Sequence, residues 1–466
     1  MQQQRRLLGS DAERGELAIQ RGCEITGDLV QERAGAKNLS WGHSLNIAVW
    51  TFTVATANLP VMSLNVVIIG GGIGGLCLAQ GLRKAGISAT VYERDESAGF
   101  RHQGYRISLK ATGAGALREC LPANLFDLAV ATSIRAATRM VFLDEQLRPK
   151  FERPLHHEPP GPGGFGVNRL TLREILLAGL DVRFSKTFTQ YSHAPDGRVI
   201  AHFADGTSAV GDLLAGADGT GSAVRRQLLP DAVIDELGWA LYGRTPFADW
   251  VPGVLVDTFN RVTGPGGAGV SVATCRALEP ASSAAARLAP SVRLTGMPGY
   301  FSWMLPLADP RLFHADAVSL HREAARLVEG WHPAVRRIIA EADVPATFAV
   351  CITSAQPVAP WTAPNVTLLG DAIHTMSPGR GDGANIALKD AQVLLRTLQG
   401  AAAGTACMAS AIRGYQAEML RYGFQAVADS RDNPFMRPGS TAGIPIPRGP
   451  NGPTPTARSD PIGGPR

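Results

Sequence analysis

Short apolar runs alternate with glycine-rich turns and amphipathic stretches along most of this chain. Residues 64–69 form a run rich in Val and Ile, which is typical of a parallel strand buried on both faces. Residues 76–84 place Leu78 and Leu82 one helical turn apart, and residues 87–92 form a second apolar run. A strand, a helix and a second strand in this order predict an α/β fold with a Rossmann-like sheet.

Two distant segments predict further strands that end in a turn. One apolar run leads into Asp218-Gly219, and Ser222 then stands where a helix is expected to begin. The other run covers residues 366–369 and is followed by Gly370 and Asp371. A glycine-rich loop then opens a helix predicted over residues 384–398.

The segment between these two turns has a different pattern. Residues 231–356 alternate short strand-like pieces with Gly and Pro turns, including a strand at 301–306 and a helix at 318–327. We therefore predict a mainly β substrate domain at 231–356, inserted into an α/β domain formed by residues 62–230 and 357–433.

The two ends of the chain lack this periodicity. Residues 1–40 are polar, and the more apolar stretch at 45–61 is interrupted by polar residues and Pro60, so it falls short of a membrane span. We expect residues 1–61 to be a disordered extension or an upstream start assignment, with an ordered addition or a targeting segment as alternatives. Residues 434–466 are rich in Pro and Gly and predict a disordered tail.

Composition fits a soluble cytoplasmic protein and argues against a nucleic-acid partner. The 466 residues are 45% hydrophobic with a net charge of +5, but basic and acidic side chains are interspersed rather than gathered in a block. No cysteine pair has Cys-x-x-Cys spacing, and the adjacent His156 and His157 would point to opposite faces of a strand. We therefore predict neither a metal site nor a disulfide framework. The six cysteines are Cys23, Cys77, Cys120, Cys275, Cys351 and Cys407.

Glycines after the first predicted strand indicate a dinucleotide site. In the pattern Gly70-x-Gly72-x-x-Gly75, the first glycine allows a tight turn, the second allows close approach of a pyrophosphate, and the third allows the helix to pack on the strand. The free N–H groups of the helix favour phosphate. An acid about 20 residues further on is placed to accept from a ribose hydroxyl. The predicted dinucleotide contacts are Gly70, Gly72, Ile73, Gly74, Gly75, Glu93 and Arg94.

Together the three segments resemble the aromatic-ring hydroxylases, the single-component FAD monooxygenases typified by para-hydroxybenzoate and salicylate hydroxylases. The pattern Asp-Gly-x-x-Ser-x-x-Arg ends at Arg225. The resemblance extends from about residue 62 to residue 424. Its longest motif is matched by Gly370, Asp371, Ala372, His374, Pro378, Gly381, Gly383 and Asn385.

This resemblance implies a noncovalent FAD. Two arginines are expected near the flavin, one in Asn168-Arg169 and one at position 106. Asp382 stands where the family more often has Gln or Glu, and for His374 we favour packing or hydrogen bonding over catalysis. The further cofactor contacts implied are Arg106, Arg169, Asp218, Gly370, Asp371, Pro378, Gly381, Gly383 and Asn385.

The implied activity is hydroxylation or epoxidation of an aromatic or polyketide-like small molecule with NADPH or NADH and O2. The cofactor supplies the chemistry, so no catalytic acid or base is named. The protein is expected to be a monomer or homodimer away from the membrane. Four residues of the insert are candidates for the substrate pocket, although each fits an ordinary core equally well: Tyr242, Tyr300, Trp303 and Met304.

Two other functions remain open at this stage. One is a flavin reductase or halogenase of the same fold, although the halogenase signature Trp-x-Trp-x-Ile-Pro is absent around Trp239 and Trp303. The other is a non-catalytic flavin-binding protein that acts through partners, because intact binding motifs do not establish turnover.

Overall fold

The computed structural model describes residues 64–97, 99, 105–155, 158–267 and 269–431. The predictions for residues 1–61 and 434–466 and for the histidine pair at 156–157 lie outside the described residues. Within the described part of the chain, no helix is both long and apolar enough to cross a membrane.

The described part of the chain consists of runs of strands separated by helices. The strands are β1 (Asn65–Ile69), β2 (Ser88–Tyr92), β3 (Arg106–Lys110), β4 (Arg139–Asp144), β5 (Pro149–Pro154), β6 (Gly164–Asn168), β7 (Val182–Arg183), β8 (Phe188–His193), β9 (Val199–Phe203), β10 (Ser208–Gly211), β11 (Leu213–Gly216), β12 (Ile234–Pro246), β13 (Thr258–Thr263), β14 (Gly269–Cys275), β15 (Tyr300–Leu307), β16 (Phe348–Ala355) and β17 (Val366–Leu368). The α-helices are α1 (Ile73–Lys84), α2 (Ala111–Cys120), α3 (Ala123–Ala131), α4 (Arg169–Leu177), α5 (Ala223–Leu228), α6 (Ala281–Leu288), α7 (Ala317–Leu327), α8 (Pro333–Ala340), α9 (Asp371–His374), α10 (Gly383–Ala402) and α11 (Met408–Arg431).

The first sheet is parallel and has the order β17-β11-β1-β2-β7. Val66 pairs with Leu213 in its centre, and both side chains are fully buried, as expected for a strand covered on both faces. Helix α1 begins at Ile73, three residues before the predicted start, because Gly72 already serves as its N-cap. Helix α10 packs against α1 and α2. The predicted α/β, Rossmann-like fold is confirmed.

The second sheet has the order β16-β12-β15-β14-β13-β4-β5 and is antiparallel apart from the β13–β4 pair. Along β15, Phe301 and Trp303 point into an apolar core that also contains Val335 and Ile338 of α8. Ser302 and Met304 lie on the opposite, half-buried face. Successive residues of β15 therefore point to opposite faces of the sheet, as the alternation in the sequence indicates.

The membership of the second sheet differs from the predicted domain boundaries. Strands β4 and β5 lie within residues 62–230, yet they extend the sheet formed by the insert, and β4 pairs with β13 over six residues. An insert at 231–356 alone therefore does not account for this sheet. Apolar alternation marks a strand but does not identify its partner, which is why the sequence placed β4 and β5 with the other segment.

Candidate cofactor and substrate site

A cavity of about 770 Å³ opens where β1, β2 and β11 end. Ile69, Tyr92 and Ala217 line it, and each stands at or just after the carboxyl end of a parallel strand. The wall continues into residues that lie on or beside the second sheet, including Arg244 and Tyr300. Open α/β sheets bind ligands at this edge.

In the glycine turn (residues 70–75), backbone segments lie too close together for a side chain at two of the glycines. Gly70 has a φ of 110°, and a Cβ there would lie 2.3 Å from the carbonyl oxygen of Ala217. A Cβ at Gly75 would lie 2.3 Å from the carbonyl oxygen of Gly70, whereas at Gly72 the nearest atom would be 4.0 Å away. Two glycines therefore close the turn and the third leaves open space before α1, which fits a pyrophosphate. Gly74 packs against Leu369 instead of lining the cavity.

Glu93 secures the glycine turn. Its Oε2 accepts a hydrogen bond from Gly71 N at 2.6 Å, and its Oε1 accepts one from Asp95 N at 2.8 Å. Arg173 Nε donates to Gly71 O at 3.1 Å, and Arg173 Nη2 lies 3.5 Å from Glu93 Oε2. Sequence reasoning gave Arg173 no site role, although it lies one helical turn after Arg169. Glu93 and the exposed Arg94 both line the cavity.

Asp218 caps a helix while it lines the cavity. Its carboxylate accepts from Ser222 Oγ at 2.5 Å and from Ala223 N at 2.7 Å, at the start of α5. Arg225, the third residue of α5, donates to Ala372 O at 2.8 Å and so ties this turn to the residue that follows the Gly370 turn (residues 370–371). Burial lowers the pKa of Arg225, and the Asp218 carboxylate opposes that shift.

The Gly370 turn places an exposed carboxylate within electrostatic range of a half-buried cation. Gly370 has a φ of 61°, and Asp371 begins α9 with its side chain exposed. Burial lowers the pKa of Arg169, the negative charge of Asp371 raises it, and the positive charge of Arg173 lowers it further. Arg169 lines the cavity. Two of the predicted cofactor contacts, Arg169 and Asp371, are therefore electrostatic neighbours.

The Pro378 loop (residues 378–383) carries a compensated charge. Asp382 forms ion pairs with Lys110 of β3 and, at 3.5 Å, with Arg380. The departure of Asp382 from the family pattern therefore adds no isolated negative charge here. Gly381 has a φ of 68° and ends the short 3-10 turn that starts at Pro378.

Asn385, which the sequence predicts as a cofactor contact, holds this loop in place through internal hydrogen bonds. Its Oδ1 accepts from Lys110 N at 2.8 Å, and its Nδ2 donates to Gly381 O at 2.8 Å and to Ser108 O at 3.0 Å. The side chain is 1% exposed, and a Cβ on Gly113 would meet its oxygen at 2.3 Å. Its hydrogen-bonding groups are thus used by the protein itself.

Arg106 and His374 also make internal contacts. Arg106 Nη1 donates to Thr274 O of β14 at 3.4 Å, so it joins the two-stranded β3–β6 sheet to the second sheet. His374 is fully buried, with its Nε2 2.7 Å from Asp390 Oδ2. This contact matches the hydrogen-bonding role favoured for His374.

The inner end of the cavity combines aromatic rings with an ion pair. Arg244 donates to Asp343 Oδ2 from Nε at 3.0 Å and from Nη2 at 2.6 Å, while its Nη1 reaches Met297 Sδ at 3.5 Å. Its guanidinium lies 5.7 Å from the ring centre of Tyr105. Tyr300 OH donates to Tyr105 O at 2.7 Å, and all five residues line the cavity. Sequence reasoning identified only Tyr300 among them.

The other predicted pocket residues lie elsewhere on the second sheet. Trp303 is 1% exposed and donates to Thr245 Oγ1 at 3.2 Å in the helix-covered core, so it is not a pocket residue. Tyr242 and Met304 lie half-buried on the opposite face. Tyr242 stacks on Phe348 with ring centres 5.7 Å apart, and burial raises its pKa to about 12. No cluster of metal-ligating side chains occurs among the described residues.

Two family profiles match the parts of the chain that carry this site. One, described as an FAD binding domain, matches residues 307–430. The other, described as an NAD(P)-binding Rossmann-like domain, matches residues 68–134 and therefore includes the glycine turn.

Known proteins share both sequence and structure with the chain. It is 33% identical over 380 residues to a dual O-methyltransferase/FAD-dependent monooxygenase of Phaeosphaeria nodorum, a match covering 73% of this chain and 41% of that protein. A crystal structure of a candidate FAD-containing monooxygenase from Photorhabdus luminescens has a TM-score of 0.68 and 31% identity, covering 82% of this chain and 98% of that one. A Klebsiella pneumoniae protein crystallised with FAD and uric acid has a TM-score of 0.65 and 25% identity, covering 81% of this chain and 89% of that one.

The glycine turn, the two aspartate turns and these relatives define one class, the FAD-binding oxidoreductases with a Rossmann-like sheet. Within that class, the chain belongs to the FAD-dependent monooxygenases of the aromatic-ring hydroxylase family. It spans under half the length of the first curated relatives that it matches.

Proposed function

We propose that this chain is a monooxygenase that uses NADPH or NADH and O2 to hydroxylate or epoxidise an aromatic or polyketide-like small molecule. The observation that supports this most is that one cavity of about 770 Å³ has both kinds of wall. Its wall includes both the glycine turn and the aromatic end with the Arg244–Asp343 pair. A cofactor and an aromatic substrate would therefore share one space.

The residues at the outer end fit FAD. Bound FAD would supply the redox and oxygen chemistry, as cofactors of this type do. The open space beside Gly72 and the start of α1 would receive the pyrophosphate, and Glu93 would hold the glycine turn in shape. Asp371 would accept hydrogen bonds from the ribityl hydroxyls, with Arg169 beside it.

The residues at the inner end favour a planar substrate with an acidic oxygen. Asn168 Nδ2 donates to Tyr300 OH at 2.7 Å, and Tyr105 OH donates to Ala346 O, so both hydroxyls are already engaged. Burial raises the pKa of both tyrosines, which leaves them neutral. They therefore offer ring surface. Among the described residues, the acceptor that Arg244 Nη1 reaches is the weak thioether of Met297, so this N–H group would donate to a phenolate or enolate oxygen.

The proposal includes a cytoplasmic enzyme, monomeric or homodimeric, without a nucleic-acid partner. The mixed distribution of charge supports the last point. Free cysteines at five positions of the described chain support a reducing compartment.

Turnover by the purified full-length chain tests this function. We expect a yellow protein whose FAD is released on denaturation and whose NADPH or NADH oxidation accelerates with one or more members of a panel of hydroxylated aromatics. With ¹⁸O2, mass spectrometry should find one labelled oxygen in the product. A product without added oxygen would favour a reductase or halogenase, and a flavoprotein that no panel member stimulates would favour a non-catalytic role.

Arg244→Gln adds a test of the substrate end. We expect KM for the stimulating compound to rise by about tenfold, the effect of losing one hydrogen bond to a charged group, without a change in FAD content. Arg276→Gln is the matched control, because Arg276 pairs with Asp257 beside the same sheet but does not line the cavity. Equal KM values for the two variants would rule out substrate binding by Arg244.

A further inference from the structure

A buried carboxylate lies directly behind the Gly370 turn. Asp390 of α10 has no exposed surface, and three groups from other parts of the chain surround it. Its Oδ2 accepts from Gly370 N at 2.7 Å and lies 2.7 Å from His374 Nε2, and its Oδ1 accepts from Tyr422 OH at 2.6 Å. Because moving a buried carboxylate would break its charge-assisted hydrogen bonds, three partners hold the Asp390 side chain in one position.

These contacts fix a backbone conformation that the turn would not hold by itself. Gly370 has a positive φ of 61°, and a Cβ there would lie 3.1 Å from Ala387 Cβ of α10. The next residue, Asp371, is exposed and stands at the start of α9. The Gly370 N–H bond to Asp390 therefore fixes the backbone one residue before the exposed carboxylate of Asp371.

The protonation states of His374 and Tyr422 favour their contacts with the Asp390 carboxylate. Burial lowers the pKa of His374, but the negative charge and hydrogen bond of Asp390, together with the negative charge of Asp371, outweigh burial and leave this pKa raised. His374 is thus able to carry a positive charge against Asp390. Burial and Asp390 together raise the pKa of Tyr422, so its hydroxyl remains a donor.

We propose that Asp390, together with His374 and Tyr422, is a positioning group for FAD that holds the Gly370 turn so that Asp371 meets the ribityl hydroxyls. This inference rests on the proposed role of Asp371 in FAD binding. None of the three residues lines the cavity. Their effect on FAD passes through the backbone at Gly370.

A matched pair of tyrosine variants separates positioning from general stability. Tyr422 and Tyr415 are both buried on α11, and each donates one hydrogen bond, Tyr422 to Asp390 and Tyr415 to Leu368 O at 2.9 Å. With full-length protein stripped of FAD and titrated by flavin fluorescence, Tyr422→Phe should raise the Kd for FAD several-fold. Tyr415→Phe should leave that Kd within about twofold of the parent, whatever both variants do to the melting temperature. Equal changes in Kd would overturn the proposal.

A double-mutant cycle tests whether Asp390 acts through Asp371. Asp390→Asn should raise the Kd for FAD about tenfold in the parent, because it removes a charged acceptor. The same substitution should have less than about a twofold effect when Asp371 is already Ala, because coupled residues are not additive. If Asp390→Asn raises the Kd for FAD equally with and without Asp371→Ala, only the positioning role of Asp390 is overturned. If Asp371→Ala alone leaves the Kd unchanged, the assigned role of Asp371 is overturned and this inference with it.

Discussion

The polar residues predicted to contact the cofactor differ in whether their side chains line the cavity or form hydrogen bonds within the protein. Arg94, Arg169 and Asp218 line the cavity, but the Asp218 carboxylate also caps α5. Asn385 does not line the cavity and uses its hydrogen bonds to hold a loop. The sequence predicted these positions because their spacing follows the family motifs. It could not assign the individual roles, because a carboxylate or amide that caps a backbone has the same pattern as one that binds a ligand.

Asp371→Ala should weaken FAD binding more than it weakens the fold. The carboxylate is exposed, so its removal leaves the core intact, but charge-assisted bonds to the cofactor worth roughly 1.5–3 kcal/mol would be lost. Fluorescence titration of the stripped protein gives the affinity. Asp196→Asn, in an exposed turn where Asp196 pairs with Arg198, is the control and should bind FAD like the parent.

At the scale of elements, apolar periodicity predicted where strands and helices lie better than it predicted which elements they pack against. The strand at 64–69 and the helix from 384 match β1 and α10 closely, since both carry strong local patterns. Trp303 shows the limit of this reasoning. Its place in β15 was correctly predicted, but which face of the sheet meets α7 and α8 depends on contacts distant in sequence.

Trp303→Ala and Met304→Ala should therefore differ sharply although they are adjacent. Trp303 fills the core behind the sheet, and removal of a buried large aromatic side chain costs about 3–5 kcal/mol. Met304 lies half-buried on the other face and should cost clearly less. Urea unfolding measures both. Equal losses would contradict the orientation of β15 described above.

The contact between α9 and α10 should make stability depend on pH through His374. Because the folded-state pKa of His374 is raised above its ordinary value, its contribution is fully present below the unfolded pKa of about 6.5 and is lost as pH rises through the folded value. His374→Gln should remove this component, so that the difference in unfolding free energy between parent and variant shrinks at alkaline pH. A constant difference from pH 5 to pH 9 would show that the imidazole does not titrate in this way.

At the scale of the whole molecule, the two large sheets are interlaced along the chain. The first sheet takes β17 from beyond the insert, and the second takes β4 and β5 from before it. Local patterns could not reveal this exchange, because pairing across so many residues leaves no periodic signal in sequence.

Residues 231–356 expressed alone should consequently fail to fold. Without β4, strand β13 would present an unpaired edge that β4 covers in the full chain over six residues. Circular dichroism and thermal melting of the fragment should show no cooperative transition, unlike the full-length protein. A cooperative melt of the isolated segment would demonstrate an autonomous domain and support the predicted boundary.

The same interlacing sets an order of events during synthesis. Strand β17 pairs with β11 only after the whole stretch between Gly216 and Val366 has left the ribosome, and closing so large a loop is slow. The Gly370 turn follows β17 at once, and Asp390, which holds it, comes later still. A nascent chain can thus form the glycine turn early, but it cannot bind every part of the cofactor until translation has passed α10. Capture of FAD would then act as the closing step of biogenesis, and cells short of flavin would accumulate the chain in a state that proteases can attack.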